Sequence, residues 1–143
     1  MMLGIRGVLT VVTTATAAAV ITAPAASAYI TAVTPTPGLS LGANSYGTGC
    51  TYTVTITGDP GDKVVWVEDQ VYRNGTWDHV ATGTFGPVRE VAGKPGQFTV
   101  EWTPNATGEH YLGAGHNQYR EGASVKVNVG TGSNLGSSCV ALP

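Results

Sequence analysis

Apolar and polar residues alternate along the chain with a period of two, most clearly over residues 50–57. Cys50, Tyr52, Val54 and Ile56 are separated there by threonines. Successive side chains of a strand point to opposite faces, so this run predicts a β-strand with one buried and one solvated face. Thr and Val also favour the pleated backbone.

The same alternation recurs along the rest of the chain. Further strands are predicted at 63–73, 76–85, 97–103, 109–116 and 123–129. In the 97–103 strand we expect Phe98, Val100 and Trp102 to face the core, with polar residues between them facing solvent. No stretch between these strands shows a helical period.

Turn signals separate the predicted strands. Residues 59–62 read Asp-Pro-Gly-Asp, and Asn74-Gly75 is a strong hairpin signal that predicts an antiparallel return strand at 76–85. Residues 86–96 are irregular and predict a loop, or a loop with a short edge strand at 88–91. This rhythm favours an all-β, antiparallel two-sheet sandwich in one domain.

The N-terminal residues have the pattern of a cleaved signal peptide. Arg6 precedes an apolar stretch at 8–21, Pro24 breaks it, and Ala26-Ser27-Ala28 forms a small-residue cleavage site. The alternative is an uncleaved membrane anchor, which the threonines and the Ala-Ser-Ala ending disfavour. We therefore expect a signal peptide at 1–28, a mature domain at 29–143 and no membrane span after cleavage.

Composition and charge narrow the function classes. The chain has 143 residues, 42% hydrophobic and 11% charged, with a formal net charge of -2. Nucleic-acid binding needs a dense basic surface, and this balance argues against it. Disorder is also disfavoured, because the apolar content is ordinary and the net charge is low.

The chain contains two cysteines, Cys50 and Cys139. In an exported protein an intramolecular disulfide is favoured over two free thiols, although a pair of buried reduced thiols is the alternative. A bridge closing a loop of this length stabilises the fold by about 4–5 kcal/mol in the chain-entropy model. It would tether the C-terminal tail to the start of the 50–57 strand.

Several short segments of the sequence resemble those of a known family. They are residues 49–54 (Gly-Cys-Thr-Tyr-Thr-Val), 98–104 (Phe-Thr-Val-Glu-Trp-Thr-Pro), 108–112 (Gly-Glu-His-Tyr-Leu) and the tail at 132–139. Over residues 39–142 the chain resembles bacterial immunoglobulin-like domains of the secreted, single-module type found in actinobacteria. The resemblance implies an immunoglobulin-like sandwich of about seven strands, acting in binding or spacing, with no catalytic residues.

The resemblance also assigns positions inside the sandwich. Trp66 stands where a buried aromatic of the third strand is expected, and we assign it to the core. The other expected core residues are Tyr52, Val54, Ile56, Val100, Trp102 and Leu112. His110 lies at the position of the tyrosine corner, so we expect it to hydrogen-bond nearby backbone. The second cysteine departs from antibody-type domains, because Leu112 occupies its place.

Candidate catalytic and metal-binding residues are sparse. His110 and His116 are six residues apart, about 20 Å along a strand, which is too far to share an ion. His79 is adjacent to Asp78, whose side chain points to the other face. The carboxylates Asp59 and Asp62 cannot alone supply a calcium site. We expect no cofactor, no metal and no enzymatic activity.

Aromatic side chains provide the candidate binding surface. Tyr72 and Trp77 flank the Asn74-Gly75 hairpin, where they either bind a partner or simply pack across the two strands. A second candidate patch lies near the Gly113-Ala114-Gly115 segment. The glycines there either leave room for a ligand or indicate a bulge. Its residues are Tyr111, His116, Tyr119 and Arg120.

Three functions fit this pattern. The favoured hypothesis is a secreted, non-enzymatic immunoglobulin-like module that binds another protein or a cell-wall polymer, free outside the cell or associated with the envelope. The alternative is an enzyme inhibitor that presents the loop at 86–96. A small secreted hydrolase is less favoured, because no nucleophile motif surrounds a serine.

Overall fold

The computed structural model describes residues 29–79, 82–118 and 121–143, which form an all-β fold with no helix in those ranges. No helix capable of crossing a membrane is therefore found there. The predicted signal peptide at 1–28 lies outside the described residues. The strands are β1 (Ile30–Pro35), β2 (Leu39–Ser40), β3 (Tyr46–Gly47), β4 (Tyr52–Gly58), β5 (Trp66–Arg73), β6 (Thr76–Asp78), β7 (Gly83–Phe85), β8 (Arg89–Glu90), β9 (Gln97–Pro104), β10 (Gly108–Gly115), β11 (Gly122–Gly130), β12 (Gly132–Asn134) and β13 (Cys139–Ala141).

The strands form two five-stranded sheets and a small third sheet. Sheet I has the order β1-β4-β9-β7, with β8 also paired to β9, and sheet II has the order β3-β11-β10-β5-β6. The small sheet has the order β12-β13-β2. Pairing is antiparallel except for β3 on β11 and β2 on β13, which are parallel.

The core is shared by the inner faces of sheets I and II, which gives a sandwich-like fold. In sheet I, Tyr52 pairs with Trp102 and Val54 with Val100, and all four are buried. Sheet II contributes Leu112 among others to the same cluster. Burying side chains of this size stabilises a fold by about 1.5–3 kcal/mol each. The inward positions predicted for the 50–57 and 97–103 runs are confirmed.

The return strand predicted at 76–85 is divided between the two sheets. β6 pairs with β5 as the Asn74-Gly75 signal predicts, but it ends at Asp78. Residues Gly83–Phe85 form β7 and pair with β9 in sheet I. Buried Thr82 anchors the crossing, because its hydroxyl donates to the backbone oxygen of Asp69, 2.5 Å away. The described residues form thirteen strands, whereas the sequence predicted about seven. The difference arises because several observed strands have only two or three residues.

The assignment of Trp66 to the core is wrong. Trp66 is only partly buried and pairs with Gly115, whereas Val67, Asp69 and Val71 of the same strand face inward. Because side chains alternate along a strand, Trp66 lies on the outer face of sheet II. The fully buried tryptophan is Trp102.

The predicted disulfide joins Cys50 to Cys139, with their Cα atoms 5.6 Å apart and a sequence separation of 89. Cys50 precedes β4, and Cys139 begins β13 of the small sheet. The bridge therefore attaches the C-terminal sheet to the start of a core strand, as the sequence indicated. The 86–96 segment contains the short edge strand β8, paired to β9.

Candidate functional site

The outer face of sheet II carries a row of aromatic and polar side chains. On β5 the outward residues are Trp66, Glu68, Gln70 and Tyr72, which alternate with the inward Val67, Asp69 and Val71. Trp77 of β6 pairs with Tyr72, and Tyr111 of β10 pairs with Gln70. We call this surface the aromatic face and define it by Trp66, Glu68, Gln70, Tyr72, Trp77 and Tyr111.

The indole of Trp66 lies against the backbone of β10 at two glycines. A Cβ at Gly113 would lie 3.0 Å from Cζ3 of Trp66, and one at Gly115 would overlap the six-membered ring. Any other residue at Gly115 would push the ring away. The indole Nε1 donates to the backbone oxygen of Asn117 over 2.9 Å, which fixes the ring along the strand.

Trp77 is the centre of a second aromatic group. Its ring centroid lies 5.1 Å from that of Tyr72 and 5.8 Å from that of Tyr111, at tilted angles. The ammonium of Lys126 lies 5.4 Å from the Trp77 ring centroid, within range of a cation–π interaction. The cross-strand packing of Tyr72 and Trp77 is therefore present, yet 49% of Tyr72 stays exposed.

An open depression of about 310 Å³ separates the two aromatic groups. It is lined by Trp66, Glu68, Gln70, Trp77 and Tyr111. Among the described residues the amide of Gln70 has no hydrogen-bond partner, and it can both donate and accept. Glu68 Oε2 lies 3.9 Å from Nδ1 of His79. The depression thus combines ring surfaces with two groups able to bind hydroxyls.

The predicted surface residues fall into two locations. Tyr72, Trp77 and Tyr111 meet on the aromatic face, although the sequence placed Tyr111 in a separate patch. His116 does not join them, because it follows the end of β10 and packs edge-on against Tyr29, 5.1 Å between ring centroids. Tyr119 and Arg120 lie outside the described residues.

Sequence reasoning missed Trp66, Glu68 and Gln70 as members of this face. The alternation of β5 places Trp66 and Tyr72 on one side, and the structure shows that this side is the outer one. The glycines at 113 and 115, two positions apart on the paired strand, were the available signal. They leave room for a ring lying on the outer surface.

A second polar group lies in the interior, around Asp69. Its Oδ1 is 2.7 Å from Nδ1 of His110, and its Oδ2 accepts from Nε1 of Trp102 over 2.8 Å. Nε2 of His110 donates to the backbone oxygen of Ala106, so the expected backbone bond of His110 is present. The side chains of His110 and Asp69 are 0% and 1% exposed. No substrate can reach this pair, so its role is structural.

Metal ligands do not converge in the part of the chain that the structure describes. No group of three or more His, Cys, Asp or Glu residues is placed to hold an ion there. Asp59 and Asp62 lie in one turn, with the Asp59 carboxylate accepting from the backbone nitrogen of Tyr29 over 3.3 Å.

The 86–96 segment folds back on sheet I. Arg89 and Glu90 pair with β9, and the Glu90 carboxylate accepts from the backbone nitrogen of Gly96 over 3.3 Å. Further backbone bonds join Val91 to Gln97 and Lys94 to Val91. The segment is an edge strand followed by a hydrogen-bonded turn.

No family model matches the chain, and neither does any curated protein or solved structure. The chemistry of the aromatic face and the architecture that presents it are the evidence for function.

Proposed function

We propose that the protein is an exported, non-enzymatic immunoglobulin-like module that binds an extracellular protein or a cell-envelope polymer through the aromatic face. The immunoglobulin-like fold, export from the cytoplasm and binding through the aromatic face are each supported by a different observation.

Strand order supports the immunoglobulin-like assignment. In the nomenclature of that fold, β1, β4, β9 and β7 correspond to A, B, E and D, while β11, β10, β5 and β6 correspond to G, F, C and C′. The parallel pairing of β3 with β11 matches a first strand that crosses to the second sheet. His110 on β10 hydrogen-bonds the backbone four residues earlier, in the manner of a tyrosine corner.

The disulfide and the N-terminal sequence support export. A bridge between Cys50 and Cys139 is typical of proteins that mature outside the reducing cytoplasm. The charged, apolar and small-residue regions of 1–28 are the pattern of a secretory signal.

The observation that carries the binding role is the fixed position of Trp66 on the outer side of sheet II. An indole on a solvent-facing surface gains little from burial, yet two glycines of β10 make room for it and Asn117 holds its nitrogen. Aromatic residues held in place on a surface are typical anchors of binding sites. The folded-back 86–96 segment offers no comparable feature for an inhibitor.

The test compares Trp77→Ala with Leu135→Ala, a large exposed apolar residue between β12 and β13 of the small sheet and not part of the aromatic face. Each variant is mixed with envelopes and with culture-medium proteins of the producing organism. We expect Trp77→Ala to bind at least about tenfold more weakly, with a melting temperature close to that of the parent, and Leu135→Ala to bind normally. A large loss of stability in Trp77→Ala together with unchanged binding would assign Trp77 to packing alone and overturn the proposal.

A further inference from the structure

We infer that the aromatic face binds a linear polysaccharide of equatorially linked pyranose units. This inference rests on the proposed function and names the ligand class of the same site. It is carried by the pairing of ring surfaces with hydrogen-bonding side chains along β5.

A pyranose ring has two kinds of surface. Where its substituents are equatorial, its flat sides present C–H groups and its edges present hydroxyls. The flat sides match an aromatic ring surface, and the hydroxyls match groups that donate and accept hydrogen bonds. The depression supplies both, because Trp66 and Trp77 lie on either side of Glu68 and Gln70.

Trp66 is held in one position on the outer face of sheet II. Its six-membered ring lies against Gly113 and Gly115 of β10, where any side chain would displace it. The hydrogen bond to Asn117 removes the freedom that a surface indole normally has. A ligand that stacks on a fixed ring loses less entropy on binding than one that must order the ring first.

The shape of the face fits a chain rather than a single sugar. Outward positions on β5 run from Trp66 to Tyr72, about 20 Å at the rise of an extended strand. The depression is open rather than enclosed, so it does not surround a bound ligand. A small metabolite would need a pocket that surrounds it.

The composition of the face favours a glycan over other polymers. Outward positions of β10 and β11 hold Glu109, Tyr111, Ser124, Lys126 and Asn128 with glycines, and the described outward residues of β5, β10 and β11 include no Leu, Ile, Val or Met. Protein interfaces are enriched in Met and Arg as well as in aromatic residues, and these outward positions hold neither Met nor Arg. A polyanion would need clustered cations, whereas Lys126 lies 3.8 Å from the Glu109 carboxylate.

Two sources share this ligand chemistry. Unsubstituted β-linked glucans and N-acetylated β-linked glycans, such as chitin or bacterial wall glycan, present the same ring faces. They differ in the acetamido group. Cellohexaose and chitohexaose are therefore separate arms of the test, and maltohexaose, whose α-linkages curve the chain, is the shape control.

Binding of each oligosaccharide to the purified protein is measured by isothermal titration calorimetry. Trp66→Phe keeps a ring and Trp66→Leu keeps an apolar side chain without one. We expect binding of cellohexaose or chitohexaose, with Trp66→Leu weaker by at least about tenfold and Trp66→Phe weaker by less. Gln70→Ala removes the amide that would hydrogen-bond the sugar hydroxyls, and Trp77→Ala removes the second ring. Leu135→Ala is the matched control outside the aromatic face.

The outcomes separate this inference from the proposed function. Binding of either linear oligosaccharide that fails in Trp66→Leu and Trp77→Ala supports the inference, and the arm that binds identifies the source. Binding that both variants retain overturns it, because the glycan site would then lie elsewhere. If no oligosaccharide binds but envelopes still capture the protein, and protease treatment of the envelopes abolishes capture, the ligand is a protein. If oligosaccharides, envelopes and culture-medium proteins all fail to bind, both proposals fail.

Discussion

Asp69 of β5 and His110 of β10 form a buried carboxylate–imidazole pair in which one proton must lie between Oδ1 and Nδ1, 2.7 Å apart. Nε2 of His110 faces the backbone oxygen of Ala106, which can only accept, so that nitrogen carries a proton. The other nitrogen faces a carboxylate oxygen, so a second proton is required there. Whichever atom holds that second proton, the pair as a whole is neutral.

This neutrality explains how two ionisable groups fit in an apolar core. An isolated buried charge costs several kcal/mol, but here every polar atom of the pair has a partner, since Trp102 donates to the remaining carboxylate oxygen. The contacts link β5, β9 and β10, and thus join sheet I to sheet II through one side chain. The network fixes the relative position of the two layers.

The first prediction concerns removal of the Asp69 carboxylate. Asp69→Ala leaves the ring nitrogens of Trp102 and His110 without an acceptor, and we expect it to lower the free energy of unfolding by about 3–5 kcal/mol. Asp69→Asn should lose only about 1–2 kcal/mol, because an amide can accept from Trp102 and donate to Nδ1 of neutral His110. Urea unfolding measures both.

Glu109→Gln is the control for this pair of variants. Glu109 lies 3.8 Å from Lys126 in an exposed ion pair, so its change should be below about 0.5 kcal/mol. Equal losses in Asp69→Ala and Asp69→Asn would show that charge, rather than hydrogen-bond pairing, matters at this site.

The second prediction concerns the disulfide. The double variant Cys50→Ser, Cys139→Ser should lose about 2–5 kcal/mol of stability, because the unfolded chain is no longer cross-linked. Hydrogen exchange should accelerate most in β12, β13 and β2, which the bridge attaches to β4. Reductant should destabilise the parent and leave the double variant unchanged. Acceleration spread evenly over both large sheets would contradict a local tether.

The third prediction concerns the glycines under Trp66. Gly115→Ala places a methyl group in the indole ring and against the backbone oxygen of Glu121, so the ring must move. We expect a stability loss of about 1–3 kcal/mol and a displaced indole N–H signal of Trp66 in NMR spectra. Gly113→Ala, with a closest approach of 3.0 Å, should have a smaller effect on both. An unmoved Trp66 signal in Gly115→Ala would show that the ring does not rest on this glycine.

The strands that alternate cleanly were predictable from sequence, and β5 shows why others were not. In 50–57 every apolar residue is on one side, so the buried face is unambiguous. In 63–73 valines occur on both sides, and the aromatic residues Trp66 and Tyr72 lie together on one of them. Which side of β5 is the interior depends on β10. The outward glycines of β10 leave room for Trp66, and its inward His110 shares a hydrogen bond with Asp69.

The crossing of the chain from β6 in sheet II to β7 in sheet I could not be predicted from sequence for a similar reason. The Asn74-Gly75 turn defines where the hairpin begins, but it does not define how long the second strand stays paired. The chain leaves β5 after Asp78 and reaches sheet I at Gly83, where a Cβ would overlap the Asp69 carboxylate. Such contacts join residues far apart in sequence, and a single sequence carries no local signal for them.

The last prediction concerns Tyr46 and Tyr52 at alkaline pH. Burial raises the pKa of both phenols above the usual 10.0, and the neighbouring Tyr52 raises that of Tyr46 further, while a hydrogen bond from the Gly47 nitrogen partly offsets the effect at Tyr52. The unfolded chain then releases these protons at lower pH than the folded one, so the stabilisation is complete below pH 10 and is lost as pH rises above it. Urea unfolding at increasing pH should show this decline, and Tyr46→Phe should reduce its slope. Tyrosinate absorbance of the folded protein should show two late-ionising groups. A slope that is the same in parent and variant would mean that the phenol of Tyr46 ionises alike in both states.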